Sequence, residues 1–154
     1  MRQQIINILL FTLIIGLGIY VYLDHDTGEQ SIAEIRLEQP EFLLGEPNAE
    51  NMLLACKHYG VKYPEIVTAQ AILESGNFKS RVFREYNNPF GLYNSREKDY
   101  FKFNHWSDAI LAYRTKVEYK YGEGDYYEFL KYLPYAEDTE YISKVKSIES
   151  NLPP

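Results

Sequence analysis

Residues Gln70-Ala-Ile-Leu-Glu-Ser-Gly-Asn-Phe78 end a helical pattern that opens at Pro64 and is apolar on almost every side. Proline suits the first turn of a helix, where no amide hydrogen is needed, and Gly76 suits the left-handed residue that closes one. A helix without a polar face must be surrounded by protein, so this segment is read as the central buried helix of a mainly α domain. Glu74 is the anomaly in it. On a helix it shares a face with Ala71, Gln70 and Val67, three, four and seven residues back. Burial disfavours the ionised carboxylate, and the negative end of the helix dipole disfavours it further. Both effects hold a proton on Glu74 near neutral pH, which is the requirement for a general acid. The plainer alternative is an exposed glutamate, or one that caps a neighbouring backbone.

Outward from this helix the pattern is one of short helices with clear stops. Asn48 to Tyr59 carries Met52, Leu53, Cys56 and Tyr59 at helical spacing, with Gly60 as its left-handed cap. Arg81 to Leu92 reads as loop, dominated by the turn signal Asn87-Asn-Pro-Phe-Gly91. Tyr93 to Phe103 alternates loosely and suggests a small hairpin. Ser107 is an expected N-cap for a helix carrying Ile110, Leu111, Tyr113 and Val117, and Trp106 before it has the position of a hydrophobic staple. Gly122 and Gly124 precede another helix, Tyr126 to Leu133, which Pro134 ends. The last helix, Thr139 to Ser150, presents Tyr141, Ile142, Val145 and Ile148 inward, with Asp138 available as a cap. No internal repeat is present.

At the amino terminus, Ile5 to Leu23 is an unbroken run without a charged residue. As a helix it reaches roughly 28 Å, close to the hydrocarbon thickness of a bilayer. Its end, Tyr20-Val-Tyr-Leu-Asp24, lacks a small-x-small cleavage site, so residues 1–23 are read as an uncleaved anchor in preference to a removed signal peptide. Arg2 before the run favours an inside amino terminus. The expectation is a single-pass protein of the inner (cytoplasmic) membrane whose remaining chain faces the periplasm or cell exterior. Residues 24–47 mix charges, Gly28, Gly45, Pro40 and Pro47, and read as a stalk that lifts the domain off the membrane, with Phe42, Leu43 and Leu44 able to pack onto that domain. Residues 48–154 then form one domain.

The chain carries a formal charge of −6, and no basic run. That excludes the electrostatic footprint of a nucleic-acid binder. Cys56 is the only cysteine, so an internal disulfide is impossible, and mid-helix in an apolar pattern it reads as a small core residue. His25, His58 and His105 have no metal-ligand spacing, and no phosphate-binding glycine loop occurs, so neither metal nor cofactor is expected. Fifteen tyrosines offer rings with polar tips suited to sugar faces, several of them, including Tyr126 and Tyr135, beside the last helix. Most are expected to be packing or surface residues of short helices.

Three ordered segments carry a resemblance: Ala69-Gln-Ala-Ile-Leu-Glu-Ser-Gly-Asn-Phe78, Asn87-Asn-Pro-Phe-Gly-Leu92, and Tyr135-Ala-Glu-Asp-Thr-Glu-Tyr-Ile-Ser-Lys-Val145. Together they look like the motifs of the glucosaminidases that cut bacterial cell wall, a family that includes flagellar and autolysin-type enzymes. The likeness covers Asn48 to Ile148. It implies a lysozyme-like helical fold with a reduced β-hairpin and hydrolysis of the β-1,4 bond after N-acetylglucosamine in peptidoglycan glycan strands. It also implies that Glu74 is the general acid, that Tyr141 lies near the acid and the reacting sugar, and that Asn88, Phe90, Gly91 and Tyr135 shape the substrate cleft. Phe90 can equally plug the core, and Asn88 can brace the loop through backbone bonds.

The chain departs from the family where a second carboxylate is expected. Glycoside hydrolysis ordinarily uses one as base or nucleophile. The β-rich lobe that supplies it is here shortened to Tyr93–His105, in which Glu97 and Asp99 are the acidic candidates, each also readable as a solvated hairpin residue. The substrate's acetamido oxygen or a weakly assisted water are the alternatives. A lytic transglycosylase on the same fold and a non-catalytic glycan-binding module therefore stay open, although the Gly-Leu-Met-Gln pattern of many transglycosylases is missing after Gly91.

Overall fold

The computed structural model describes residues 40–133 and 138–154, and its compact unit spans Glu41–Pro154. The order of elements is a 3-10 turn at Glu41–Leu43, α1 (Ala49–His58), α2 (Pro64–Glu74), α3 (Arg81–Tyr86), β1 (Tyr93–Asn94), β2 (Asp99–Tyr100), α4 (Asp108–Lys116), a 3-10 turn at Glu118–Lys120, α5 (Tyr126–Lys131) and α6 (Tyr141–Glu149). A mainly helical domain with a minimal hairpin is thus what the chain forms. The strands pair antiparallel, Tyr93 opposite Tyr100 and Asn94 opposite Asp99.

Helix α2 is the axis of the fold. Its residues Ile66 to Ala71 are all buried, and it packs against α1 on one side and α6 on the other. It ends as its sequence predicts: the Gly76 amide donates to Leu73 O and the Asn77 amide to Ile72 O, the paired bonds of a Schellman cap, with Gly76 at φ +57°. Asn77 and Phe78 also take positive φ. Ser75, fully buried, holds that turn together by donating to Ala71 O at 2.6 Å and accepting from the Phe78 amide at 2.8 Å. Gly60 ends α1 at φ +67°, again in the left-handed region.

Three expectations need correction. Arg81 to Tyr86 is a helix and not loop, because Ser80 accepts from the Phe83 amide as an N-cap and Asn87, at φ +52°, closes it as a left-handed cap. Ser107 precedes α4 without capping it, since its hydroxyl is engaged with His105 Nδ1 at 2.8 Å and with Tyr59 Oη. The compact unit also takes in residues 41–47, read from sequence as the end of a stalk. Leu43 is buried there and the Trp106 indole donates to Gly45 O at 3.0 Å, whereas Leu44 stays exposed.

The anchor, residues 1–23, and most of the stalk lie outside the described residues. Among the described residues no helix is long and apolar enough to cross a membrane.

Candidate active site

The last turn of α2 and the first turn of α6 meet at Glu74 and Tyr141, because packing of these two helices brings residues 67 positions apart side by side. Glu74 is half-buried, and Tyr141 is 5% exposed. The Tyr141 hydroxyl hydrogen-bonds the Glu74 carboxyl. Burial raises the Glu74 pKa above its ordinary value, and the Tyr141 bond, which favours the ionised form, opposes part of that rise. The outcome is a carboxylic acid that keeps its proton longer than a solvated glutamate and already has a donor placed to receive the charge once the proton leaves.

Asn88 and Phe90 are placed inside the protein. Asn88 is 1% exposed; its Oδ1 accepts from the Leu92 amide, and its Nδ2 donates to the carbonyls of Leu92 and Phe101, each at 2.9 Å. Both polar atoms of its side chain are thus bonded to backbone, inside the protein. Asn87, which sequence reasoning passed over, braces the same loop in parallel, its Nδ2 donating to Phe103 O at 3.0 Å and Asn104 O at 3.1 Å. The two asparagines together tie the hairpin to the end of α3. Phe90 is 1% exposed, with its ring 4.7 Å from that of Tyr113. Of the two readings open for each, the structure places Asn88 as the brace of the loop and Phe90 as filler of the core behind it.

Gly91 is the member of that motif left at a surface. At φ +59°, with open space where a Cβ would point, it lines a cavity of about 340 Å³ together with Tyr93, Phe101, Lys116 and Leu133. Tyr93 and Tyr100 stand edge to face across the hairpin, 5.4 Å apart and both exposed. Tyr135 lies outside the described residues.

Glu97 is exposed in the hairpin turn. Asp99 is paired with Lys102 at 3.1 Å, and that bond holds its pKa below the usual carboxylate value. The shift at Glu74 comes from burial and from Tyr141. Among the described residues no group of histidine, cysteine, aspartate and glutamate side chains could hold a metal ion. The Cys56 thiol is fully buried and pushed up to about 12 by desolvation, so it offers no nucleophile.

Residues 49–152, most of the described fold and both partners of the Glu74 contact, match the family model Glucosaminidase, described as mannosyl-glycoprotein endo-beta-N-acetylglucosaminidase. The chain belongs to this glucosaminidase family. Among solved structures, the catalytic domain of the autolysin Auto from Listeria monocytogenes is similar at 20% identity, over 79% of this chain and 92% of that one, with a TM-score of 0.46. A comparison with curated proteins gives no match. Membership makes the domain a glycoside hydrolase by kinship.

Proposed function

We propose that this chain is a peptidoglycan hydrolase that cleaves the β-1,4 bond after N-acetylglucosamine, with Glu74 donating a proton to the leaving glycosidic oxygen. The observation that carries the reading is the half-buried Glu74 carboxyl hydrogen-bonded to the Tyr141 hydroxyl. Burial keeps the acid protonated, and the hydroxyl stabilises the carboxylate left behind. Leaving-group protonation is the costly half of glycoside cleavage at neutral pH, and one well-placed acid supplies it.

The cavity beside Gly91, with Tyr93 and Phe101 on its wall, supplies apolar ring surface of the kind that stacks on a pyranose face. We further propose that Ile5 to Leu23 tethers the domain to the cytoplasmic membrane, leaving it facing the wall; the uncharged length of that run supports the assignment. Peptidoglycan digested by the purified chain should yield fragments with N-acetylglucosamine at the reducing end. 1,6-Anhydromuropeptides would instead identify a lytic transglycosylase. Pelleting with the polymer without release of fragments would identify a binding module.

That last reading has one observation in its favour: neither Glu97 nor Asp99 is among the causes that shift the Glu74 carboxyl. The same observation bears on mechanism, because it leaves the attack on the anomeric carbon to the substrate's acetamido oxygen or to water. Glu97→Gln and Asp99→Asn are accordingly expected to keep activity within about threefold of wild type, since removing a catalytic base or nucleophile costs on the order of 100-fold or more. Steady-state digestion rates check this. A loss of that larger size in either variant would identify the second carboxylate.

A further inference from the structure

Inward from Glu74 and Tyr141 runs a line of buried polar side chains that the acid chemistry does not itself consume. Gln70 Nε2 donates to the Tyr141 hydroxyl at 2.9 Å. Gln70 Oε1 accepts from the Tyr113 hydroxyl at 2.7 Å, and the Tyr113 and Tyr126 hydroxyls lie 3.0 Å apart. The four residues come from α2, α4, α5 and α6. None is more than 5% exposed.

Proton counting gives this line a direction. A carbonyl oxygen has no proton to offer, so Tyr113 must spend its single hydroxyl proton on Gln70 Oε1, and Tyr126 must donate to Tyr113. At the other end the Gln70 amide occupies a lone pair of the Tyr141 oxygen, which leaves the Tyr141 proton for the Glu74 carboxyl. A buried amide is costly unless its groups are bonded, and an apolar side chain of similar size would pack against α4 and α6 without that demand. Packing alone therefore does not account for glutamine at this position.

We propose that Gln70 is a positioning residue, which locks the Tyr141 hydroxyl as a donor to one oxygen of the Glu74 carboxyl so that the acid's own proton is held on the other oxygen, toward the glycosidic bond. This rests on the reading of Glu74 as the acid. No proton travels along the line. When Glu74 gives up its proton, its O–H bond breaks, a bond from that hydrogen to the leaving oxygen forms, and the Tyr141 hydrogen bond strengthens onto the new negative charge. Tyr113, by fixing which end of the Gln70 amide faces Tyr141, acts one step further back.

The test compares the full-length wild type with Gln70→Met, Tyr113→Phe, the double variant and Tyr141→Phe, measuring kcat and KM on peptidoglycan across pH, with thermal unfolding alongside. Gln70→Met should lower kcat about tenfold or more while KM stays within about twofold, the pattern of a lost transition-state contact. The carboxylate would also lose a fixed donor, so the alkaline limb of the profile, where the acid ionises, should move to higher pH. Tyr141→Phe should move that limb in the same direction.

Tyr113→Phe should act in the same sense but less, and the double variant should resemble Gln70→Met alone, because both changes work through one hydroxyl. A Gln70→Met protein with a lowered Tm but wild-type kcat and pH limb would overturn the proposal. If that variant does not fold, Tyr113→Phe, which removes one oxygen, decides by the same two readouts. Glu74→Gln separates the two claims. If it stays active, the acid assignment fails; if it is inactive while Gln70→Met and Tyr113→Phe match wild type, only the positioning role fails.

Discussion

Glu74→Gln is expected to lower glycan turnover by about 100- to 10,000-fold, the usual worth of a general acid, while leaving the fold intact. The substitution keeps the size of the side chain and its ability to accept from Tyr141, and removes only the transferable proton. Stability should move the other way. Burial raises the Glu74 pKa, so the native state binds this proton more tightly than the unfolded chain does. The stability contributed by the protonated group is complete below the ordinary glutamate value of 4.5 and is lost as pH rises through the folded pKa. At neutral and alkaline pH the glutamine variant, which does not titrate, should therefore unfold at a higher temperature than wild type. That difference should close as pH falls below the ordinary value. Thermal unfolding followed at several pH values, beside digestion assays, gives both readings; a Gln variant with full activity would remove Glu74 from the chemistry.

Phe90→Ala is expected to cost about 3–5 kcal/mol of folding stability, because the ring is 1% exposed and tilted against Tyr113 in the core. For a domain of roughly a hundred residues, that is a fall in Tm of more than about 10 °C. It is also a large share of the total stability of such a domain. The location of the damage distinguishes core from cleft. If Phe90 were a sugar platform, the variant would bind glycan poorly and melt like wild type. Denaturation by heat or urea, together with pelleting on peptidoglycan at a temperature where the variant is folded, separates the two. Tyr113 carries both the neighbouring ring and the hydroxyl that holds Gln70, so loosening at Phe90 should also reach the Glu74 end of α2.

Much of this architecture was legible locally. The stop of α2 at Gly76 needs only a glycine after an apolar run, and the Schellman bonds form as that pattern implies. The burial of α2 follows from its lack of a polar face, and the closeness of Tyr141 to Glu74 agrees with what the family motifs imply. The short helix Arg81–Tyr86 escaped because six residues carry little periodicity, and the dense turn signal after it outweighed the single N-cap at Ser80. Asn88 and Phe90 were left between two readings, cleft and interior, because a motif places residues in order along the chain but does not say which way they point. Gln70 was visible as a face-mate of Glu74, yet its partners lie 43 and 71 residues away, in helices whose packing no local rule supplies. An amide on an otherwise apolar helix, one turn before an acid, was the available signal.

The lone thiol of the protein, Cys56, sits where α1 meets the central helix, wholly shut away and strongly averse to ionising. Alkylating reagents attack the thiolate, so the rate at which they tag Cys56 measures how often this helical packing opens. The molecule thus carries its own breathing gauge, in need of no engineered probe.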